Sequence, residues 1–570
     1  MSRAATACRL VLVACLLGLS SGAARSQPAP PRSGTAMPAR LRIALVPLDD
    51  RPVCLQYPQM MAALAHAAVI SPPPAALGRF TTPGDTGAIA TWLRAQDWTT
   101  IDALIVSIDM VAYGGLVASR VHDVNRATAL ARIDVIREIR AARPTLPIYG
   151  FSVLMRLAPT ADGRNEAYRE QLARWAELAG GSRSAAESEE LQALVREIPP
   201  VALDDYRRAR RRNRAVNLAS VGLVEQAVID YLVVSQDDAR PRGVHLADRA
   251  LVTRRARGGR ATSRIGIQPG ADEVAMILLA RAVLRRHGLQ PSVRAIWSTD
   301  QARLMVAPFE DRPLHETVRF QVEASGARPV ERGGPTADLD LYVFASRHDP
   351  GVPERFAATV AQQVAAGARA IVADVDPKGD VQGASVAFTE ALLAAGIFPK
   401  LYGYASWNTA GNTIGTAIPH GLLAWAGATL ASRCSSPAWT ALADAQVTFL
   451  LHRLLNDFAY QGVLRPSLNA DLRASDRNPA SLTPDDEVVQ RIVAALAPRL
   501  QSFARHFTTA AHVLPSPAPT DVAVQVGAPT GLRVSLPWAR TFEAAISFEV
   551  PVAGLSVPAR RLPACQAATP

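Results

Sequence analysis

"VPLDDRPV", residues 46–53, and "APFEDRPL", residues 307–314, write one phrase into two places in the chain. Each runs from apolar residues through two carboxylates to Arg-Pro, and then into a helical pattern. A residue before proline avoids the αR region, and proline suits the first helical position. Arg51 and Arg312 are therefore expected just outside helices that begin at Pro52 and Pro313. The acids Asp49, Asp50, Glu310 and Asp311 then precede a helix start, where the dipole favours negative charge. Helix capping explains one acid in each copy. It leaves the second, which is expected to meet a ligand.

Outward from the phrase, short apolar strands alternate with helices, the pattern of an α/β protein. The first half has strands at "LRIALVPL", "AAVIS", "DALIVSID", "LPIYGFSVL" and "DYLVVSQ". The second has them at "RLMVAP", "ARPVE", "LDLYVFAS", "RAIVADV" and "KLYGYAS". Both run strand, phrase, helix, short strand, then three more strands. Two architectures fit. One is a pair of Rossmann-like, doubly wound halves facing a cleft. The other is a single elaborated β/α barrel. Recurrence of the phrase favours the pair. In both, functional residues gather at the carboxyl ends of parallel strands.

The expected divisions are 41–260 for the first half, 261–421 for the second, 422–510 for a helical region and 511–570 for a small β appendage and tail. "IGIQPGADEVAMILLARAVLRRHG" and "SVRAIWSTD" form a strand–helix–strand unit expected to open the second half.

The composition, 49% hydrophobic and 19% charged, excludes a disordered chain. The net charge of +11 rests almost wholly on arginine, since Lys378 and Lys400 are the only lysines. That bias reads as a GC-rich genome and not as a nucleic-acid surface. The dense run "YRRARRRNRAVNLA" reads as a helix with a solvated or carboxylate-pairing face. No nucleic-acid motif accompanies it.

Residues 1–26 read as a secretory signal peptide: Arg3 and Arg9, the apolar stretch "LVLVACLLGL", then small residues up to Ser26. Residues 27–40 read as a flexible linker. A secreted or periplasmic protein without a membrane span follows. A lipidated start at Cys15 is the weaker alternative. Beyond the leader only Cys54, Cys434 and Cys565 remain, too few for a disulfide framework. A Cys434–Cys565 bridge is open, and Cys54 reads as a buried thiol.

The strand ends are rich in acids. Asp109 precedes the glycine pair of "MVAYGGLVASR". Asp237 and Asp238 follow "YLVVSQ", Asp272 and Glu273 follow "RIGIQ", and Asp374 and Asp376 follow "RAIVA". "SWNTAGNTIGTA" adds Trp407, Asn408 and Asn412, a ring with amides and hydroxyls. Adjacent strand residues point to opposite faces. One of Asp237 and Asp238 can therefore face a cleft while the other supports it, and such a pair can have its pKa values driven apart. Each motif also has a structural reading: an N-cap for Asp272, a glycine turn for the Trp407 stretch. No Walker loop, dinucleotide fingerprint, H-E-x-x-H or G-x-S-x-G elbow appears. No cofactor is implied. A divalent metal held by carboxylates alone is left open.

"VPLDDRPV", "ALIVSIDMVAYGGLVASR", "SQDDA", "PGADE", "EDRPL" and "YASWNTAGNTIGTA" resemble the bacterial family catalogued as domain of unknown function 4127. The resemblance runs from about residue 41 to "LPWARTFEAAISFEV", with a serine at 406 where similar sequences usually carry glycine. It implies that the motifs belong to one site and carries no established activity.

The expected function is an exported hydrolase acting on a glycan or glycoside. Such chemistry needs two carboxylates across the bond and an aromatic platform. The catalytic candidates are Asp237 or Asp238 as acid and Asp50 or Asp272 as base or nucleophile, with Glu273 beside them. Ligand contacts are expected from Asp49, Arg51, Asp109, Glu310, Asp311, Arg312, Trp407, Asn408 and Asn412. The alternatives are a non-catalytic two-lobed binding protein for a polar ligand and a metal-dependent hydrolase.

Overall fold

The computed structural model describes residues 41–163, 165–259, 261–331, 334, 336–375, 383–431, 436–483, 486–508, 512–514 and 522–556. The expected leader and linker, Asp376, Lys378, Cys434 and Cys565 lie outside the described residues.

The protein is α/β. Strands β1 (Leu41–Val46), β2 (Ala67–Ile70), β3 (Ala103–Ser107), β4 (Ile148–Leu154), β5 (Tyr231–Gln236) and β6 (Ile265–Pro269) form one parallel sheet, in the order β2-β1-β3-β4-β5-β6. Strands β7 (Ser292–Trp297), β8 (Arg328–Val330), β9 (Leu339–Phe344), β10 (Ala370–Asp374) and β11 (Gly403–Ala405) form a second, in the order β11-β10-β9-β7-β8. Numbered from its own first strand, each sheet begins 2-1-3-4-5. In open sheets of this order, ligands bind beyond the carboxyl ends of the strands.

The strand sequences explain the burial. Leu41, Ile43 and Leu45 of β1 enter one apolar cluster, while Ala44 and Val46 enter another on the opposite face. Successive side chains alternate between faces. A sheet covered on both sides therefore needs the near-continuous apolar runs seen here. Phe151 of β4 is fully buried, which contributes roughly 1.5–3 kcal/mol. The helix Val274–Arg286 is apolar nearly all round, and its residues from Val274 to Leu284, Arg281 excepted, belong to the larger cluster that spans both sheets.

Several sequence expectations change. β6 pairs with β5, Val234 opposite Ile267, and so completes the first sheet. The unit expected to open the second half instead straddles the two sheets. "RLMVAP" is not a strand. Thr299 caps a short helix, Asp300–Leu304, and Val306 makes only an isolated bridge to Pro313. In the first copy of the phrase the helix starts at Gln56. Pro52 opens a preceding turn, in which the amides of Cys54 and Leu55 both return to the carbonyl of Arg51. In the second copy Pro313 is the N-cap and Leu314 the first helical residue. The arginine-rich run lies on the helix Pro200–Glu225, but part of it is an anchor. Arg212 is buried, donates to the carbonyls of Ser119, Val121 and Val124, and sits 4.1 Å over the Tyr113 ring.

The C-terminal region holds the helices Ser436–Arg453, Arg465–Ala474 and Asp486–Thr508, with a π-helix at Leu454–Leu464. Strands β12 (His512–Leu514), β13 (Val522–Val526) and β16 (Val552–Ser556) form a small antiparallel sheet, and β14 (Thr530–Ser535) pairs with β15 (Ala545–Glu549). Among the described residues no helix is long and apolar enough to cross a membrane.

Candidate functional site

A polar cavity of about 220 Å³ opens where the strands of both sheets end. Arg51 reaches it from the segment after β1, Arg120 from the segment after β3, and Arg156 and Thr160 from the segment after β4. Gln236, Asp237 and Asp238 come from the end of β5, and Gly270, Ala271 and Asp272 from the end of β6. Phe309 and Glu310 arrive from the second copy of the phrase, and Asn408, Thr409 and Asn412 from the segment after β11. The remaining wall is the loop between β14 and β15, with Trp538, Arg540 and Phe542. A second cavity of about 420 Å³ lies against β7 and carries Val293, Ala295, Trp297, Val318 and Val322 in its wall. It is the larger, but only the first gathers acids and amides at strand ends.

Arg51 is the keystone of the first copy. Its Nε and Nη2 bind Asp49 at 2.7–3.0 Å, and its two Nη atoms bind the two oxygens of Asp272 at 2.9 and 2.6 Å. Asp272 also accepts from Asn412 Nδ2 at 3.3 Å. The planar fork of arginine permits this double bidentate contact. Asp50 turns aside. It accepts from Trp538 Nε1 at 2.5 Å and from Arg79 at 3.0 Å, and burial raises its pKa.

Asp237 and Asp238 each carry an arginine: Arg120 on Asp237 and Arg156 on Asp238, both at 2.6 Å. Their environments differ. Burial works against ionisation of Asp237, but the flanking Arg120 and Arg156 outweigh it and hold the carboxyl below its usual range. For Asp238 burial wins, helped by the negative charge of Asp237, and the pKa is raised. Asp238 is thus a strengthened base, although Arg156 opposes the rise.

Glu310 lines the cavity and is 3% exposed. Its Oε1 accepts the amide of Gly411 at 2.8 Å, at the start of the helix Ala410–Ala431. Its Oε2 is buried with no partner among the described residues. Burial pushes its pKa well up, and Glu273, Asp311 and Asp238 add to the rise. Glu273, also fully buried, is pushed up to about 8 by burial. It accepts from the Ala271 amide at 3.0 Å and from Gln321 Nε2 at 3.3 Å. Two glycines make room for Glu273. A Cβ on Gly270, whose φ is +108°, would fall 1.6 Å from Glu273 Oε1, and one on Gly415 would fall 2.2 Å from Glu273 Cγ.

Of the residues singled out in the sequence, Arg51, Asp237, Asp238, Asp272, Glu310, Asn408 and Asn412 line the cavity, while Asp49 and Glu273 buttress lining residues. Others lie elsewhere. Asp311 is taken up by Arg249 and by His245 at 3.5 Å. Arg312 lies 3.8 Å from Asp311 and 3.3 Å from Glu316, so it does not repeat the fork of Arg51. Asp109 accepts from the Val153 amide at 2.8 Å, tying β4 to the end of β3, and burial lifts its pKa to about 7. Trp407 is a core residue, edge-on to Tyr57 and donating to Thr416. Asp374 accepts from the Ser385 amide, away from the cavity. Cys54 is a buried free thiol whose pKa is raised by burial. Among the described residues no three His, Cys, Asp or Glu side chains are grouped to hold a metal ion.

The rings of the cavity are Trp538, Phe542 and Phe309. Trp538 lies 4.7 Å from both the Arg51 and the Arg540 guanidinium. Sequence reasoning passed over it, although it stands in the terminal stretch "LPWARTFEAAISFEV". It also passed over Arg120 and Arg156, which follow strands as the acids do.

The fold and site thus define an α/β protein with a carboxylate- and arginine-lined cavity beyond the carboxyl ends of parallel strands. The chain belongs to the family described as Protein of unknown function (DUF4127), whose match covers residues 43–547. No curated protein matches it, and no solved structure matches it.

Proposed function

We propose that the protein is a hydrolase that acts on a carbohydrate or similarly hydroxylated ligand bound in this cavity, with Glu310 as the acid. The carrying observation is Glu310 itself: a cavity-lining carboxyl, one oxygen fixed by Gly411, the other unpartnered, in a setting that keeps it protonated. In a glycoside the breaking C–O bond leaves its electron pair on the departing oxygen, which takes the proton of Glu310. Water attacks the anomeric carbon and gives its proton to Asp238. Asp237 and Asp272, held by arginines, shape the field around them. A protonated acid beside a strengthened base is the division of labour that general acid–base catalysis needs.

Two finer readings support this proposal. The 2-1-3-4-5 order shared by the two sheets favours two doubly wound halves closing on one cleft. The phrase follows the first strand of each half, directly in the first and after the short helix Asp300–Leu304 in the second, and both halves would descend from one unit. The leader-like residues 1–26 favour export, which would bring the enzyme to polysaccharides outside the cell.

Two-lobed, non-catalytic binding is the second reading. It is favoured by the ion pairing of Asp237, Asp238 and Asp272, since paired acids suit hydrogen-bond acceptance as well as catalysis. A screen of the mature protein against chromogenic glycosides and cell-wall glycans, with and without a chelator, separates the readings. Hydrolysis that Glu310→Gln reduces by about 10²–10⁴-fold, without loss of folded protein, supports the assignment. Saturable binding without turnover in any member of the screen supports the binding protein.

A further inference from the structure

One wall of the cavity carries more positive charge than its acids balance. Arg120, Arg156 and Arg169 all line it, and Asp237 and Asp238 pair with the first two. Arg169 Nε is buried with no hydrogen-bond partner among the described residues. Its nearest carboxylate, on Glu170, is 4.0 Å away and 87% exposed. The Nε atoms of all three arginines are buried without an acceptor.

The placement of Arg169 is also costly for the helix that bears it. It is the first residue of Arg169–Leu178, where the dipole favours an anion and disfavours a cation. No side chain caps this helix start. Beside it, Arg120 Nη1 donates to Thr160 Oγ1 at 2.7 Å, which fixes that guanidinium against the same wall. Three guanidiniums lining one cavity make a site for a small oxyanion.

We propose that this wall receives an oxyanion carried by the ligand, so that the substrate class is an acidic saccharide bearing a carboxylate or a phosphate. The inference rests on the reading of the cavity as a saccharide site. Arg169 and Arg156 hold the anion, and Arg120 stiffens the wall behind them. Anchoring the ligand at this end leaves its hydroxylated body for Asp272, Asn412 and Trp538.

The test uses the mature chain and matched pairs differing only in the anion: glucose with glucuronate, galactose with galacturonate, and glucose with glucose 6-phosphate. Binding is measured by calorimetry at constant ionic strength, and turnover on the nitrophenyl glycosides of the same sugars. The expected result is at least about tenfold tighter binding of an acidic member. Arg169→Met should weaken it by about 10–100-fold, the range for a hydrogen bond to a charged group. Arg174→Met removes a charge from the same helix, at a position paired with Glu190, and should leave it unchanged. Which acidic member gains identifies carboxylate or phosphate. Equal binding within all pairs overturns the inference, as does failure of every acidic member to bind, or an Arg169→Met variant that binds like the parent. Acidic binding without turnover upholds the anion wall and removes the hydrolase. Turnover without acidic preference does the reverse.

Discussion

Arg51 meets Asp272 through two parallel hydrogen bonds, at 2.9 and 2.6 Å, across 221 positions of chain. The same guanidinium grips Asp49 with its remaining edge. One side chain therefore joins the first strand's exit to the last strand's exit within the first sheet. Lysine offers a single ammonium and cannot serve two carboxylates in this geometry. Arg51→Lys is expected to lower stability by about 3–5 kcal/mol, because it strands buried charge. Urea denaturation checks it. An unchanged midpoint would mean that the triad contributes nothing.

Glu273 makes stability depend on pH. Its pKa rises from an ordinary 4.5 to about 8 in the fold. The native state therefore keeps a proton that the unfolded chain has already lost. The resulting stabilisation is complete below 4.5 and is lost as pH rises through about 8. Melting temperature should fall across that window, and Glu273→Gln should flatten the fall. Asp109, raised to about 7, and Asp457, raised to about 6, act in the same direction and should leave a residual slope.

Two tryptophans should behave differently on truncation. Trp407→Ala opens a hole in the core, at a cost of about 3–5 kcal/mol. Its effect on ligand affinity per folded molecule should be small, since Trp407 does not line the cavity. Trp538→Ala removes cavity wall, the donor to Asp50 and the ring over Arg51. Affinity per folded molecule should drop there. Titrations normalised to folded fraction distinguish the two, and equal losses would contradict the placement.

Gly415 is expected to tolerate no side chain while Glu273 is present. Gly415→Ala brings a Cβ to 2.2 Å from Glu273 Cγ and near the Gln321 amide. Overpacking of this kind costs about 1–3 kcal/mol. In a double-mutant cycle, Glu273→Ala should relieve most of that cost, so the two changes should be strongly non-additive. Additive losses would place the strain elsewhere.

The α/β class was legible because strand runs such as "ALIVS" and "YLVVSQ" are apolar on both faces, which only a covered parallel sheet requires. The acids at strand ends were legible for the same reason, since polar residues at the end of an apolar run mark where the strand leaves the core. What stayed hidden was orientation. Asp49 and Asp50 are neighbours, yet one binds Arg51 and the other Trp538, and no local pattern distinguishes them. The second copy misled more. Asp311 is claimed by Arg249 and His245, partners set by tertiary packing of the helix Val244–Arg257. Trp407 was read as a platform because its neighbours are polar, but those polar groups bond to one another at the helix start.

The hydrogen bond from Trp538 to Asp50 spans 488 positions. A nascent chain halted before the loop between β14 and β15 would hold all the cavity's acids and lack two of its three rings, Trp538 and Phe542. Contacts this distant in sequence form late, because chain closure must precede them. Any binding that relies on the Trp538 side of the cavity is thus expected only from chains that extend past this loop.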